Sequence, residues 1–591
     1  MKEHVKSSRR FLCILGCVFA VGACLRLYRL SSQILLDDEW LGLREVIGKS
    51  YFNVLTKFNP VDNTSLPLNL YNLALLHGFG WSELTLRLPV ILAGLLSLVV
   101  LPLLVKNVFN ERVALLFASL LAIAPFLIFY SRYARAYGFV TLFGFSALLL
   151  SHQWLTTGRL RYAAGFVIAG AIAIYAHLFA VVVVFMPLVT AFGIGLAGRF
   201  KAASPLRRQI VAPVRTLFIA AFILAVLLVP LFWPVFLERA KLPWGMKNIT
   251  LEAVRDAATL LSGTVNGPLN GLFFLLFLGG LVLLLKQNPL LGWTCLSVIG
   301  AYPVLFLASR PLGLGSGAVL LRYMIVVAPV ALTLVALAMD GLITRAQHMP
   351  GMRRSLPILG AALFPACLWA AGPLPALYVP PNNFANHSAF QHSYRHSTWE
   401  YSEADAVYPA FRVKQDQIPS FYNWLGGQSN ITAIVEYPFD ICDYNDLFYY
   451  YQHFHHKRVV AGYCSEAKLL GYEWPASPGQ AEAPFAIGGI CADEVLSPVA
   501  DATKRAFHNM IDVVDTAALL RSGADFLVLH KYVMALKITQ NGVDAAPVYG
   551  LIRVHFLSVD RLMLRFKAAF GTPVYEDAAL VCFPIKRVQG S

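Results

Sequence analysis

The sequence predicts a polytopic α-helical membrane protein with about eleven transmembrane helices, followed by a C-terminal soluble α/β domain. Two observations carry this prediction. Hydrophobic residues make up 57% of the 591 residues and charged residues only 14%, whereas a soluble protein carries about a quarter of charged residues. The shortage of charge lies before residue 375, where apolar runs recur that are long enough to cross about 30 Å of hydrocarbon.

The basic residues predict the topology of these helices. They cluster in short loops that alternate along the chain, for example at Lys106 and Arg112 and at Arg159 and Arg161, which is typical of cytosolic loops. This pattern accounts for the net charge of +15. We therefore expect no nucleic-acid partner, because a nucleic-acid footprint would lie on one face of a soluble domain. With a cytosolic N-terminus, eleven crossings place the loop 31–85 and the C-terminal domain outside the cytosol.

The predicted domains follow from the spans. A transmembrane domain covers residues 1–375 and includes the outer loop 31–85, and a linker rich in Pro, Asn, His and Ser follows at 376–402. A soluble α/β domain covers 403–591, where strand-like and helical runs alternate. No A-x-A-like cleavage site follows the first apolar run, which is therefore predicted to be an uncleaved span. The spans are predicted near residues 11–30, 86–105, 112–130, 137–155, 162–176, 178–197, 216–236, 268–285, 289–309, 323–342 and 356–375.

Four cysteines lie in the predicted outer domain: Cys442, Cys464, Cys491 and Cys582. An even number of cysteines in an oxidising compartment favours one or two disulfides. Four cysteines allow three pairings, and the sequence does not choose among them.

An acidic run, Asp37-Asp38-Glu39-Trp40, lies just outside the first span. Ionisable residues at a membrane surface are candidates for function, although three carboxylates at the water interface can also be simply solvated. In the functional interpretation, one carboxylate has a pKa raised by the neighbouring membrane and acts as a general base toward a hydroxyl. A second carboxylate, Asp38, could bind a divalent cation such as Mg or Mn through its oxygens.

A basic and aromatic segment, Tyr130 to Tyr137, lies at the predicted outer end of the third and fourth spans. Its arginines Arg132 and Arg135 suit a phosphate, because a guanidinium makes bidentate contacts and is always charged. The alternative is that they extend to lipid headgroups. Further residues predicted at the same outer face are Tyr175, His177, Arg322 and Tyr323.

Taken in this order, the motifs resemble those of the GT-C glycosyltransferases that use polyprenyl-phosphate sugars, a family that includes the protein O-mannosyltransferases and the lipid A aminoarabinose transferases. Asp37-Asp38-Glu39-Trp40 is similar to an Asp-Glu-x-Trp element of the family, and the segment 82–89 to a Ser-Glu-x-x-x-Arg-Leu-Pro element that contains Arg87. The segment 130–137 is similar to a Tyr-Ser-x-x-Ala-Arg-x-Tyr element. A His-Pro-Pro-Leu-Tyr element of the family is replaced by the segment 65–69, which has no histidine.

The resemblance implies roles for these residues. Asp37 would be the catalytic base and Asp38 a helper or metal ligand. The residues implied to hold the carrier phosphate are Arg132, Arg135, His177 and Arg322. The residues implied to support the site are Arg87, Tyr137, Tyr175 and Tyr323.

The implied reaction moves a sugar from a polyprenyl-phosphate carrier to an acceptor hydroxyl on a glycan, lipid or protein, with inversion at the anomeric carbon. No nucleotide cofactor is expected, since the sequence has no P-loop or Gly-rich Rossmann turn. The implied location is a bacterial inner membrane, with the C-terminal domain in the periplasm.

Two alternatives stay open at this point. A transporter or flippase of a polyprenyl-linked substrate would carry charges at mid-membrane, commonly in paired halves, whereas the charges here gather at the outer rim. A non-catalytic relative is the second alternative, because the family's histidine is missing and Asp38 replaces a glutamate.

Overall fold

The computed structural model describes residues 2–28, 30, 39, 42, 46, 49–56, 65–79, 82–200, 208–238, 249–309, 311, 314, 317–347, 355–375, 419–437, 451, 454–460, 524–530, 532–536, 549–553, 559–577 and 580–585. They fall into two compact units. The first takes in the described residues of Met1–Leu30 and Ser50–Tyr378, and the second takes in those of Ser31–Lys49 and Arg395–Ser591. The domain boundaries predicted from the sequence stay predictions.

The first unit is built from helices. In chain order they are α1 (Lys2–Leu27), α2 (Tyr51–Thr56), α3 (Leu66–Ala74), α4 (Glu83–Val108), α5 (Glu111–Ile123), α6 (Pro125–Tyr130), α7 (Tyr137–Phe139), α8 (Phe145–Thr157), α9 (Leu160–Ala176), α10 (Val181–Phe200), α11 (Val214–Glu238), α12 (Leu251–Ser262), α13 (Gly267–Gln287), α14 (Pro289–Ser309), α15 (Gly317–Tyr323), α16 (Val327–Gln347) and α17 (Ser355–Ala371). A π-helical turn, Val140–Gly144, joins α7 to α8, and a 3-10 turn, Leu178–Ala180, precedes α10.

Over the part of the chain that the structure describes, eight helical stretches are long and apolar enough to cross a membrane, so the chain is an integral membrane protein. Among the described residues, these stretches are Arg9–Leu27, Glu83–Val108, Tyr137–Thr157, Leu178–Leu196, Val214–Leu231, Gly267–Gln287, Pro289–Ser309 and Val327–Gln347.

The predicted count of eleven spans is not confirmed, although a helix lies at each predicted position. The three other helical segments are short. The third predicted span is divided into α5 and α6 at Ala124. Helices α9 and α17 have 17 residues each, which at a rise of 1.5 Å per residue gives about 26 Å, less than the hydrocarbon thickness of about 30 Å.

Local sequence explains where α4 and α5 begin. The Ser82 hydroxyl accepts a hydrogen bond from the Thr85 N–H at 3.2 Å, and the Thr85 hydroxyl accepts one from the Ser82 N–H at 2.7 Å. This reciprocal cap satisfies two of the N–H groups that every helix start leaves without a partner. The Asn110 side chain caps α5 in the same way by accepting from the Val113 N–H at 2.9 Å.

The centre of the first unit is formed by the spans Tyr137–Thr157 and Val327–Gln347, which are the most deeply buried of the eight. Helix α13 packs closely on α16, where a Cβ at Gly280 would overlap the carbonyl oxygen of Leu334. Only glycine allows the two backbones to approach to this distance. The first of these two innermost spans begins at Tyr137, and the second begins four residues after Tyr323.

The second unit contains the predicted α/β structure. Its elements are α18 (Ser420–Gly426), β1 (Ala433–Tyr437), β2 (Arg458–Val460), β3 (Phe526–His530), β4 (Tyr532–Leu536), β5 (Tyr549–Arg553), α19 (Val559–Phe570), β6 (Tyr575–Glu576) and β7 (Leu580–Pro584). Five strands form a mixed sheet in the order β2-β1-β3-β7-β6, with β2, β1 and β3 parallel and β7 and β6 antiparallel. Strands β4 and β5 form a separate antiparallel pair.

The sheet buries Cys582, which carries a free thiol in β7. A disulfide in this unit therefore does not involve Cys582. The other three cysteines considered in the sequence analysis lie outside the described residues.

Candidate functional site

The third predicted span is interrupted where α5 meets α6. Pro125 has no backbone N–H and therefore cannot donate to the carbonyl of Leu121, four residues earlier. The guanidinium of Arg26, in the last turn of α1, donates there instead: Nη2 to the Leu121 oxygen and Nη1 to the Ala122 oxygen, both at 3.2 Å. Arg26 is almost completely buried. It thus supplies a donor at the position where the proline removes one.

A second arginine makes the reciprocal connection. Arg132 is completely buried, and its Nη1 donates to carbonyls at the end of α1 and just after it: the Leu25 oxygen at 3.3 Å, the Arg26 oxygen at 3.0 Å and the Tyr28 oxygen at 2.7 Å. A helix provides no N–H donors for its last four carbonyls, so these oxygens accept from groups outside the helix. The Arg26 Nε also donates to the Ser131 hydroxyl at 3.2 Å. Two arginines therefore join the end of α1 to both sides of α6.

Aromatic rings from three elements meet just beyond this connection. The ring of His177, between α9 and the turn before α10, lies 5.4 Å from the Tyr137 ring at the start of α7 and 5.6 Å from the Tyr323 ring at the end of α15. The guanidinium of Arg322 lies 5.8 Å from the centre of the Tyr137 ring and 5.5 Å from that of Tyr323. These are cation–π distances. The structure thus brings together three pieces that the sequence analysis predicted for one face.

The electrostatics of this cluster are set by arginines around a neutral histidine. Burial, together with the positive charges of Arg135 and Arg322, lowers the pKa of His177 to about 3. The imidazole is therefore uncharged near neutral pH. Its Nδ1 accepts a hydrogen bond from the Phe179 N–H at 3.3 Å, so its single proton lies on Nε2. His177 is consequently a hydrogen-bond donor, with permanent positive charges beside it.

The two arginines of the segment 130–137 differ in exposure. Arg132 is completely buried against the carbonyls of α1, whereas Arg135 is half-buried. Arg322, at the end of α15, is also half-buried. A guanidinium is always charged, so Arg135 and Arg322 each place a permanent positive charge beside His177. We call the set Arg135, His177, Arg322, Tyr137 and Tyr323 the rim cluster.

Other predicted site residues have different surroundings. Arg87 is fully buried inside α4, five residues after its Ser82 cap. The Tyr175 hydroxyl donates to the Leu227 carbonyl at 2.6 Å and so ties α9 to α11. Asp37 and Asp38 lie outside the described residues. Glu39 is described and is buried. The predicted roles of all these residues, including that of Arg132, stay predictions.

The predicted divalent cation has no support from the described residues. Within the parts of the chain that the structure describes, no group of three or more His, Cys, Asp or Glu side chains is close enough to hold a metal ion. The predicted ligand Asp38 lies outside these parts.

Sequence analysis missed Arg26. The signal was present, since an arginine inside an apolar span is costly and requires partners. It was not recognised because Arg26 falls near the end of a run that was interpreted only by its hydrophobic length. The structure shows that its partners include two backbone carbonyls on another helix and the Ser131 hydroxyl.

Fold and site together define an integral membrane protein with a basic and aromatic cluster at one end of its bundle and an additional α/β unit. Residues 67–233 match the family model described as dolichyl-phosphate-mannose-protein mannosyltransferase. This match confirms, over that part of the chain, the resemblance predicted from the motifs. It includes Arg135 and His177 of the rim cluster but neither Asp37 nor Arg322. Comparison with curated protein sequences gave no significant match.

Several solved structures are similar at low identity. ArnT from Cupriavidus metallidurans in the apo state aligns with 14% identity and a TM-score of 0.49, covering 99% of this chain and 98% of that one. The same protein bound to undecaprenyl phosphate aligns with 14% identity and a TM-score of 0.47, with the same coverage. The apo oligosaccharyltransferase of Archaeoglobus fulgidus aligns with 13% identity and a TM-score of 0.43, covering 92% of this chain and 74% of that one.

Proposed function

We propose that this protein is a glycosyltransferase that moves a sugar from a polyprenyl-phosphate carrier to an acceptor hydroxyl at the outer face of a bacterial inner membrane. The observation that carries the proposal is the rim cluster, in which Arg135 and Arg322 flank the neutral donor His177. Fixed positive charge and a fixed N–H at a membrane boundary suit a lipid-borne phosphate. The partial family match supports the same class of substrate.

The chemistry requires a base on one side of the sugar and cations on the other. The acceptor oxygen attacks the anomeric carbon, the bond from that carbon to the phosphate oxygen breaks, and the acceptor proton passes to Asp37. One displacement inverts the anomeric configuration. Arg135 and Arg322 stabilise the charge that develops on the leaving phosphate, and the His177 Nε2–H donates to one of its oxygens. Because these groups are held in place before the reaction, no reorganisation is needed as the charge appears.

Arg132 and Asp38 complete the proposal. The resemblance implies that Arg132 also contacts the phosphate, and its described contacts with α1 support a role in fixing the segment that carries Arg135. Asp38 would assist Asp37 or bind a cation.

The test uses the purified full chain in liposomes with a labelled polyprenyl-phosphate sugar and a panel of acceptors. Asp37→Asn should lower transfer by about 10²–10⁴-fold, the usual contribution of a general base, and leave binding of polyprenyl phosphate unchanged. Arg135→Met and Arg322→Met should instead weaken that binding. Arg345→Met is the matched control, since Arg345 is exposed at the opposite end of α16.

Two results would decide against the proposal. Unchanged transfer in Asp37→Asn removes the general-base assignment. Protein-dependent movement of the lipid-linked sugar across liposomes, with no transfer to any acceptor, favours the transporter alternative.

A further inference from the structure

A cavity of about 710 Å³ lies at the other end of the bundle. It is formed by α1 from Arg10 onward, the start of α5 and the last part of α16, and its lining includes Arg112 and Asp340. Arg10 stands at the start of the first candidate span and Asp340 seven residues before the end of α16. The cavity therefore lies at a membrane boundary, at the end opposite the rim cluster. Its volume falls within the range of about 300–1,000 Å³ for small-molecule sites.

The lining of this cavity carries charges of both signs. Arg112 forms an ion pair with Asp340 at 3.1 Å, and Asn110 donates to the second oxygen of Asp340 at 3.3 Å. Glu111, also in the lining, pairs with Lys106 at 2.9 Å. A ligand with only negative charge would meet two carboxylates there, and a ligand with only positive charge would meet two guanidinium groups. A ligand with both charges matches the lining.

Arg10 is the lining residue with guanidinium donors that a ligand in the cavity could use. It is exposed, and among the described residues it makes no hydrogen bond or ion pair. The Nη1 of Arg112 donates to Asp340 and also to the Thr344 hydroxyl at 3.3 Å, and the Arg112 side chain is 44% exposed. Two guanidinium groups at one opening suit a phosphate.

The lower part of the lining is apolar. Phe11 and Ile14 of α1 and Leu115 of α5 lie below the charged groups. Ile14 is 38% exposed on a span that faces hydrocarbon. The polar opening is therefore continuous with the lipid-facing surface, which favours a membrane lipid over a soluble ion.

We propose that this cavity binds the headgroup of a zwitterionic phospholipid with a primary ammonium group. The phosphate lies against Arg10 and Arg112, the ammonium donates to Asp340 and Glu111, and an acyl chain follows Ile14 toward the hydrocarbon. A quaternary ammonium cannot donate hydrogen bonds to the two carboxylates, so the cavity discriminates against choline headgroups. The site is independent of sugar transfer, because it lies at the opposite end of the bundle.

The experiment titrates the purified full chain in mixed micelles with phosphatidylethanolamine labelled on an acyl chain. Arg10→Glu should weaken binding by about tenfold, the factor expected for one charge-assisted hydrogen bond. Arg9→Glu is the matched control, because Arg9 is exposed, adjacent and outside the lining, and it should change nothing. Phosphatidylcholine and phosphatidylglycerol should each bind about tenfold more weakly than phosphatidylethanolamine.

Three outcomes would overturn the proposal. Equal losses in Arg10→Glu and Arg9→Glu would show general surface attraction. Equal affinity for the three lipids would remove the headgroup assignment. Full competition by soluble phosphoethanolamine at the concentration of the lipid would show that no acyl chain contributes. Because Arg10 makes no described contact, Arg10→Glu should fold, and an unchanged thermal transition without lipid verifies this.

Discussion

Replacing Arg26 by methionine tests whether the reciprocal arginines hold the site end of the bundle together. Among the described contacts, the guanidinium donates to three groups outside its own helix: the carbonyls of Leu121 and Ala122 and the hydroxyl of Ser131. Hydrogen bonds between helices in membranes contribute about 0.6 kcal/mol each on average. We therefore expect Arg26→Met to lower the free energy of unfolding by about 2 kcal/mol. Methionine keeps much of the apolar volume of the stem, so the loss reports mainly on the donors.

The assay is detergent-induced unfolding of the purified chain, followed by circular dichroism. Arg9→Met is the control, because Arg9 lies on the same helix and is exposed. A difference between the two variants of less than about 0.5 kcal/mol, the size of an ordinary surface substitution, would refute the reasoning.

A double-mutant cycle sharpens this test. Arg26 and Arg132 both connect the end of α1 to the segment 130–137, so either change alone should loosen the contact that the other also needs. The double variant should lose less than the sum of the single losses, by about 1 kcal/mol. Strict additivity would mean that the two arginines stabilise separate features.

Three further predictions follow from single contacts. His177→Phe should weaken binding of polyprenyl phosphate by about tenfold, because the ring stays but the Nε2–H is lost. In the same titration His177→Gln, which retains a donor, should bind better than His177→Phe. Gly280→Ala should destabilise the protein by about 1–3 kcal/mol through overlap with Leu334. Gly279→Ala should be neutral in detergent-induced unfolding, because among the described atoms its Cβ would meet just the Ala338 Cβ, at 4.0 Å. Burial, and to a smaller extent the charges of His456 and Lys457, lowers the pKa of His455 from 6.5 to about 3. As the pH falls, the unfolded chain therefore protonates this imidazole before the folded chain does. The stability of the second unit should fall as the pH drops from about 6.5 toward 3. His455→Gln should make this fall shallower when thermal transitions are compared across that pH window.

The architecture was largely predictable because its signals are local. Hydrophobic length and the alternation of basic loops depend on neighbouring residues only, and they placed a helix at each expected position. The division of the third span was less predictable. It depends on Pro125 at one position and on a donor from α1 that the chain supplies about a hundred residues earlier.

The proximity of several predicted site residues could be anticipated from the sequence, whereas their roles stay predictions. The motifs predicted that Tyr137, His177 and Arg322 lie at the same outer face, and the structure places their side chains close together. Sequence could not distinguish Arg132 from Arg135, because both are arginines in one short segment. Their difference arises from the conformation after α6, which turns one side chain toward the carbonyls of α1 and leaves the other half-exposed.

Arg26 and Arg132 are buried, whereas Arg135 and Arg322 are half-buried. A buried guanidinium needs acceptors, and Arg26 and Arg132 find them in carbonyls that helix ends leave available. Their charges are thereby used within the bundle, where they fix the segment that leads to Arg135. The field of the half-buried Arg135 and Arg322 helps to keep His177 neutral. An anion that binds there meets donors already oriented by the fold, and that is the condition under which electrostatic stabilisation of a leaving phosphate is strongest.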